Sequence, residues 1–413
     1  MKPYTRLTVI AFLLFMARGM TGPLSSLYWR SLGASYLAIG LLGTVTSITA
    51  IVASYVWGRA SDRLGQRRGF LLVGLGGLAL CFGLLSAVSG TAVLFPLYAA
   101  VAVAQAAYDT ASLALMGDWL EVEGRRRDGS GQGDRVRPSR SGRRMGIYRG
   151  LGSLGFGVTA FVSGSIADAL SLRVPFALAA CFFVLAFLLA VGVREPPPEP
   201  SPATGAPSSA PSPAAEARRL PLAPLLIAAL LWSLVTGAVY AVWANYMVEA
   251  IGYTSAQMTR LWALASLSEF PLMIVAGWLS DRVGRLPMLA VGFLAWAGVF
   301  TGYLIVPTMP WIVVVQLLRG FAYSAHTATA MIYAAEVRSR GERGRISGLY
   351  GTAGALGSIV GSSLGGAVTE YVGFRALIGA GAGVIFAGAL YLSGASVQVH
   401  RRRHKRAVPS RPY

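Results

Sequence analysis

Apolar residues recur along the chain in twelve long runs of roughly 20 residues each, separated by short polar segments. A run of this length crosses the hydrocarbon core of a bilayer when it forms a helix. The pattern therefore predicts an all-α membrane protein with twelve transmembrane helices. The predicted spans are 7–29, 36–57, 69–89, 92–117, 145–167, 172–193, 221–248, 257–279, 286–306, 309–335, 345–368 and 374–396.

One short motif occurs at matching points in the two halves of this pattern. Residues 58–65 read GRASDRLG and residues 277–284 read GWLSDRVG, so both contain G-x-x-x-D-R-x-G, 219 residues apart. Further matches at an offset of 202 relate Gly152 to Gly354 and Gly155 to Gly357. A repeat of six spans predicts two pseudo-symmetric six-helix bundles, an arrangement typical of transporters.

A proline-rich segment lies between the two halves. Eight prolines occur between residues 196 and 213, a composition that favours an extended tether over a packed domain. We predict an N-terminal bundle at 1–193, a cytoplasmic linker at 194–220, a C-terminal bundle at 221–396 and a basic cytoplasmic tail at 397–413. The Arg/Gly/Ser-rich segment 121–144 is expected to be poorly ordered.

Charge is distributed unevenly between the two sides of the predicted spans. The chain is 54% hydrophobic and 13% charged, with a formal net charge of +19. In a soluble protein that charge would suggest nucleic acid as a partner. Here 29 of the 36 Lys and Arg residues fall in segments on one side of the membrane and four on the other. The positive-inside rule then predicts a multi-pass protein of the cytoplasmic membrane with both termini inside, and no nucleic-acid partner.

Residues 58–68, GRASDRLGQRR, resemble the loop 2–3 signature of the major facilitator superfamily, and 277–285 resemble its weaker loop 8–9 copy. The resemblance covers the whole chain, from twelve spans and a six-plus-six repeat to the long central loop. It implies two bundles around a central cavity that opens alternately to the two sides of the membrane. It does not indicate the solute.

The resemblance also implies that the motif residues form a cytoplasmic gate, which latches the two bundles in the outward-open form. Asp62 and Asp281 are expected to bind loop arginines or helix ends. The glycines are expected to allow a close helix approach or a tight turn. The alternative is that the motif only sets the topology and the turn. The motif residues are Gly58, Asp62, Arg63, Gly65, Arg67, Arg68, Gly277, Asp281, Arg282 and Gly284.

Glycines recur at three- and four-residue intervals along span 11, which predicts a smooth face for close helix packing. They are Gly351, Gly354, Gly357, Gly361 and Gly365. The resemblance implies that span 11 packs against span 2 and that span 5 packs against span 8. Span 5 lacks the proline of the family's antiporter signature, which puts drug:proton antiport in doubt without excluding it.

Five ionisable residues fall inside the predicted spans: Arg18, Asp109, Glu269, Arg319 and His326. A charge in lipid costs several kcal/mol, so retained charges usually face a cavity or one another. We therefore take these residues as candidates for substrate binding or proton coupling, with Glu269 or Asp109 as the proton-bearing carboxylate. The alternative for each is a structural ion pair or a side chain that reaches the interface.

Aromatic residues recur at roughly helical spacing on span 7. They include Trp232, Tyr240 and Trp243. They predict either a cavity wall for a flat or amphipathic solute or an ordinary packing surface. Glu249, near the outer end of the same span, is expected to be interfacial.

Secondary active transport of a small-molecule solute is the function that these features predict. The sequence has no Walker-type loop and no clustered His, Asp and Glu residues, so neither a nucleotide-driven pump nor an enzyme is expected, and no cofactor or metal. Protons are the expected coupling ion, and the protein is expected to be a monomer in lipid. Scarce Asn and Gln in the spans favour efflux of amphipathic compounds. The alternatives are a proton-coupled importer of an organic anion and a non-transporting receptor with the same fold.

Overall fold

The computed structural model of the chain describes residues 3–128, 140–195, 220–305, 308–337 and 343–407. Most of the predicted linker 194–220, part of the loop at 121–144 and the end of the basic tail lie outside the described residues. So do some side chains within the described ranges, including that of Asp62. No strand occurs among the described residues.

Twelve long helices, numbered α1 to α12, correspond in order to the twelve predicted spans. Those of the first half are α1 Pro3–Thr21, α2 Tyr36–Leu64, α3 Arg68–Ala87, α4 Leu94–Asp128, α5 Arg140–Ala169 and α6 Arg173–Val191. Those of the second half are α7 Leu222–Asn245, α8 Ser255–Val283, α9 Arg285–Ile305, α10 Met309–Glu336, α11 Arg343–Tyr371 and α12 Phe374–Ala407. A 3-10 turn and the short helix Ser25–Ser31 continue α1, and the π-helix Tyr246–Ala250 continues α7.

Nine of these helices are long and apolar enough to cross a membrane, counted over the described residues. The other three, α5, α10 and α11, are 30, 28 and 29 residues long. All three contain many glycine, serine and threonine residues, which suit close helix packing better than contact with lipid.

The helices pack into two compact units. The first unit contains α1 to α6 together with Trp243–Leu267, and the second contains the rest of α7 and α8 together with α9 to α12. The predicted domain boundaries near 193 and 220 adjoin residues that the structure does not describe, and they stay a prediction.

The core of the first unit lies between α1, α3, α4 and α6. Helix α3 packs against both α4 and α6, while α1 packs against α5 and α6. Leu14, Leu75, Tyr108 and Phe183 are among the buried residues that these helices contribute. In the second unit α9 packs against α10 and α12, which repeats the packing of α3.

Close helix contacts repeat at corresponding positions in the two halves. A Cβ added to Gly74 on α3 would lie 2.6 Å from the backbone N of Tyr108, and one on Gly292 would lie 3.2 Å from that of His326. Both members of this second pair are displaced by 218 residues from the first. The predicted two-fold repeat is therefore present in the packing as well as in the motifs.

Several helices extend beyond the apolar runs that predicted them. Helix α2 ends at Leu64 instead of 57, and α12 continues to Ala407 instead of ending near 396. The hydrogen bonds of a helix continue into polar sequence, whereas hydropathy marks only the part that suits lipid. The first part of the predicted basic tail is therefore helical.

Candidate functional site

The first motif copy forms a tight turn between α2 and α3. Gly65 has a φ of +61°, the left-handed conformation that glycine adopts without a steric penalty. Beyond the turn, the Arg67 guanidinium forms an ion pair with Asp118 at the end of α4. The carboxylate of Glu195 accepts hydrogen bonds of 2.8 Å from the backbone N–H groups of Arg67 and Arg68. Because the N-terminus of a helix attracts anions, Glu195 stabilises the start of α3.

The second motif copy forms the same turn between α8 and α9. Gly284 has a φ of +102°. Arg285 binds Asp281 at 2.6 Å and Glu336, at the end of α10, at 2.7 Å. Arg285 and Glu336 follow Arg67 and Asp118 by 218 residues each, so both halves contain the same ion pair. Sequence reasoning missed these acidic partners, although carrying the repeat offset to the ends of α4 and α10 points to them.

Other gate residues differ from expectation. No described atom lies within 4 Å of where a Cβ on Gly58 or Gly277 would be, so the close helix approach expected there is not seen. Arg282 stacks on Trp278, with its guanidinium carbon 3.8 Å from the ring centroid, and Arg63 is exposed. The side chain of Asp62 lies outside the described residues, and its role as a latch stays a prediction.

The glycine face of α11 packs against α7. A Cβ on Gly357, Gly361 or Gly365 would lie 2.1 to 2.3 Å from a backbone oxygen of α7, and one on Gly354 would lie 3.2 Å from the Ser233 Oγ. The expectation that these glycines meet span 2 is therefore wrong. The expected pairing of spans 5 and 8 is confirmed, because Gly164 contacts Thr259 in the same way.

Two of the intramembrane charges form a pair in the first unit. The guanidinium of Arg18, on α1, lies 3.5 Å from the Asp109 carboxylate on α4. Their side chains are 36% and 54% exposed, although both residues lie in candidate spans. Arg18 also lies over the ring of Phe15, 5.5 Å from its centroid. A charged pair with so much open surface is stable in a membrane only where water or a polar solute faces it.

The sequence placed Arg18 near Glu269, but Arg18 belongs to the Asp109 pair and a different cation acts on Glu269. Glu269 lies on α8 in the second unit, where Arg319 attracts its carboxylate electrostatically. The Glu269 carbonyl oxygen accepts a 3.0 Å hydrogen bond from Ser324 on α10. The buried Arg319 donates to the Gln316 side chain at 3.3 Å and lies 4.9 Å from the ring centroid of Tyr240.

An aromatic cluster lies beside these groups in the second unit. The rings of Trp232 and His326 stack with their centroids 4.5 Å apart and their planes at 17°, and Trp296 packs edge-on against Trp232. His326 is 1% exposed, and neither of its ring nitrogens has a hydrogen-bond partner among the described residues. The same holds for the indole N–H groups of Trp232 and Trp296. Buried polar groups without partners are rare, and they mark places where a ligand or water completes the bonding.

The predicted aromatic stripe of span 7 is divided between the two units. Trp232 and Tyr240 belong to the cluster in the second unit. Trp243 belongs to the first unit, where it packs edge-on against Trp262 at 5.2 Å. The stripe is therefore not one continuous wall.

At the opposite end of the first unit from the motif turn, Glu249 has partners that the sequence did not indicate. Asn245 donates to its carboxylate at 2.8 Å, the Tyr36 hydroxyl donates a short hydrogen bond, and Arg30 lies 3.7 Å away. The expectation that Glu249 is merely interfacial is therefore incomplete.

Comparisons with known proteins agree with this architecture. The sequence profile of the Major Facilitator Superfamily matches residues 7–271 and 225–412. A putative sugar efflux transporter of Deinococcus radiodurans is 26% identical over 372 residues, which cover 89% of this chain and 92% of that protein. The multi-drug resistance efflux pump PmrA of Streptococcus pneumoniae is 32% identical over 133 residues, 31% of this chain and 33% of the pump.

A solved structure has the same fold. The crystal structure of the nucleoside transporter NupG superposes with a TM-score of 0.75 at 16% sequence identity, over 96% of this chain and 99% of that one. At that identity the likeness concerns the fold alone. The profile match over nearly the whole length, the repeated motif turns and the twelve helices lead to one conclusion: the chain belongs to the Major Facilitator Superfamily of membrane transporters.

Proposed function

We propose that this chain is a proton-coupled secondary transporter that exports amphipathic solutes across the cytoplasmic membrane by alternating access. The observation that carries the proposal is the half-exposed Arg18–Asp109 pair within membrane spans. Exposure to lipid would make this pair costly, whereas a hydrated solute path makes it stable. The names of the Deinococcus and Streptococcus relatives both describe efflux, which supports export as the direction.

The aromatic cluster of the second unit supports an uncharged amphipathic solute. Its polar atoms without partners are the indole N–H groups of Trp232 and Trp296 and the ring nitrogens of His326. All of these groups can bond a neutral ligand, and the aromatic faces around them favour a flat or apolar body. Solutes that combine a ring with hydroxyl groups have both features, in keeping with the sugar in the name of the Deinococcus relative.

Glu269 is the proposed proton carrier. It lies on the same helix as Pro271, and the positive charge of Arg319 acts on its carboxylate. A solute that changes the contacts of Arg319 therefore changes the surroundings of Glu269, which couples the two ligands thermodynamically. Asp109, already paired with Arg18, is the alternative carrier.

Flux in proteoliposomes tests the proposal with an aryl glycoside, a lipophilic cationic dye and an aromatic carboxylate. We expect the glycoside to accumulate when the lumen is acidic, because export then exchanges solute for protons. Glu269→Gln is expected to abolish this accumulation by at least tenfold and to keep solute exchange without a pH gradient. Glu370→Gln, an exposed carboxylate near the end of α11, serves as the matched control.

Other results lead to other conclusions. Accumulation of the carboxylate driven by an acidic exterior indicates an importer of organic anions, a candidate that the exposed Arg18 guanidinium favours. Stabilising binding without any flux indicates a receptor. Full pH-driven accumulation in Glu269→Gln excludes Glu269 as the carrier and transfers the role to Asp109.

A further inference from the structure

Glu249 occupies an unusual backbone position. It lies in the π-helical segment Tyr246–Ala250 that continues α7, in the stretch of the second half that belongs to the first unit. Single π-turns are rare and occur frequently at functional sites, because the extra residue changes the direction of the following side chains.

Glu249 is bound by residues from three separate elements. Its Oε1 accepts from Asn245 of α7 at 2.8 Å, and its Oε2 accepts from the hydroxyl of Tyr36 at the start of α2. Arg30, in the short helix that continues α1, forms an ion pair with Oε2 at 3.7 Å and lies 4.5 Å over the ring of Tyr36. One carboxylate from the second half of the sequence is thus held by two residues of the first half.

The degree of burial suits a contact that opens and closes. The side chains of Arg30 and Glu249 are 42% and 33% exposed. Water can therefore replace each bond when the contact breaks, whereas a fully buried pair would leave uncompensated charges. A cluster of this kind biases a conformational equilibrium without locking it irreversibly.

A second set of contacts lies beside this cluster, between the end of α5 and the start of α8. Asp168 accepts a 2.8 Å hydrogen bond from the backbone N–H of Ala256, and Thr259 accepts one of 3.2 Å from Gly164. Thr259 is fully buried. These helix ends separate only if the Glu249 contacts beside them also release.

We propose that Glu249 is the lock of the end of the transporter opposite the motif turns. While Tyr36 and Arg30 hold its carboxylate, the ends of α2, α5 and α8 stay together and a solute has no exit on that side. Release of Glu249 permits that side to open. The proposal rests on transport by alternating access but on no particular solute or coupling ion.

Cysteine labelling tests the lock without any solute. The reporter is Thr259→Cys in a Cys81→Ser, Cys181→Ser background, labelled in intact cells with a membrane-impermeant maleimide. We expect slow labelling with the lock intact, because position 259 is buried against α5. Glu249→Gln, which removes the charge, and Tyr36→Phe, which removes only the hydroxyl, are each expected to raise the labelling rate at least threefold.

The control is Glu370→Gln, which is expected to leave the labelling rate unchanged. Unchanged labelling in both Glu249→Gln and Tyr36→Phe overturns the lock, as does an equal rise in the control. If Glu249→Gln does not fold, Tyr36→Phe decides the question. Labelling that responds while every solute fails to move keeps the lock and rejects the proposed function; normal flux with unresponsive labelling does the reverse.

Discussion

At the residue scale, each half of the chain relies on one arginine just after its motif turn. Arg285 is mostly buried and bridges two carboxylates, Asp281 on α8 and Glu336 on α10. The Glu336 contact uses two nitrogens of the guanidinium, at 2.7 and 3.0 Å, so it is bidentate. A bidentate pair is geometrically specific, whereas a single exposed i,i+4 pair contributes little. The two carboxylates should therefore differ in importance.

Substitutions at these positions should separate the two contacts. Arg285→Ala is expected to lower the free energy of unfolding by about 1–2 kcal/mol, because it leaves Glu336 without its bidentate partner. Asp281→Asn is expected to lower it by less than about 0.5 kcal/mol, because that side chain is 65% exposed. Denaturation of the purified protein in detergent measures both. Equal losses would contradict the assignment of Glu336 as the main partner.

At the scale of elements, glycine decides which helices approach most closely. Gly155 on α5 contacts Phe12 on α1, and its repeat mate Gly357 on α11 contacts Leu230 on α7. The sequence predicted the glycine face of α11 correctly but assigned it to the wrong neighbour. A periodic stripe of small residues shows that some helix comes close, yet any of several helices fits such a stripe. Only the packed structure identifies α7.

Two alanine substitutions on α11 test this packing. A Cβ on Gly361 would lie 2.1 Å from the Leu234 carbonyl oxygen, so Gly361→Ala is expected to destabilise the protein by about 1–3 kcal/mol. Gly351, on the same helix, has no described atom within 4 Å of that position. Gly351→Ala should therefore be neutral or slightly stabilising, since alanine favours a helix more than glycine does. Thermal unfolding in detergent that ranks the two variants the other way would refute the contact.

At the scale of the whole molecule, the distribution of charge predicts how the chain crosses the membrane. Most Lys and Arg residues fall in the motif turns, the central linker and the tail, and few fall in the connections at the opposite end. Anionic lipid on the inner face and the membrane potential both retain positive segments inside. The orientation proposed for the transporter depends on this asymmetry.

Accessibility of two single cysteines tests the orientation. In the Cys81→Ser, Cys181→Ser background, Ser209→Cys in the linker is expected to react with an impermeant maleimide only after the cells are permeabilised. Val372→Cys, at a position that is 69% exposed between α11 and α12, should react in intact cells. Reaction of Ser209→Cys from outside would reverse the predicted topology.

The sequence alone determined the number of helices, the repeat, the turn glycines Gly65 and Gly284, and the family. These features depend on local composition and spacing, because a bilayer accepts only long apolar helices and a left-handed turn residue is most easily glycine. The tertiary structure decided the partners: Asp118 and Glu336 for the motif arginines, Asp109 for Arg18, Arg319 for Glu269, and Tyr36 for Glu249. Charged side chains can pair with any opposite charge that folding brings near, so their partners depend on how helices distant in sequence pack together.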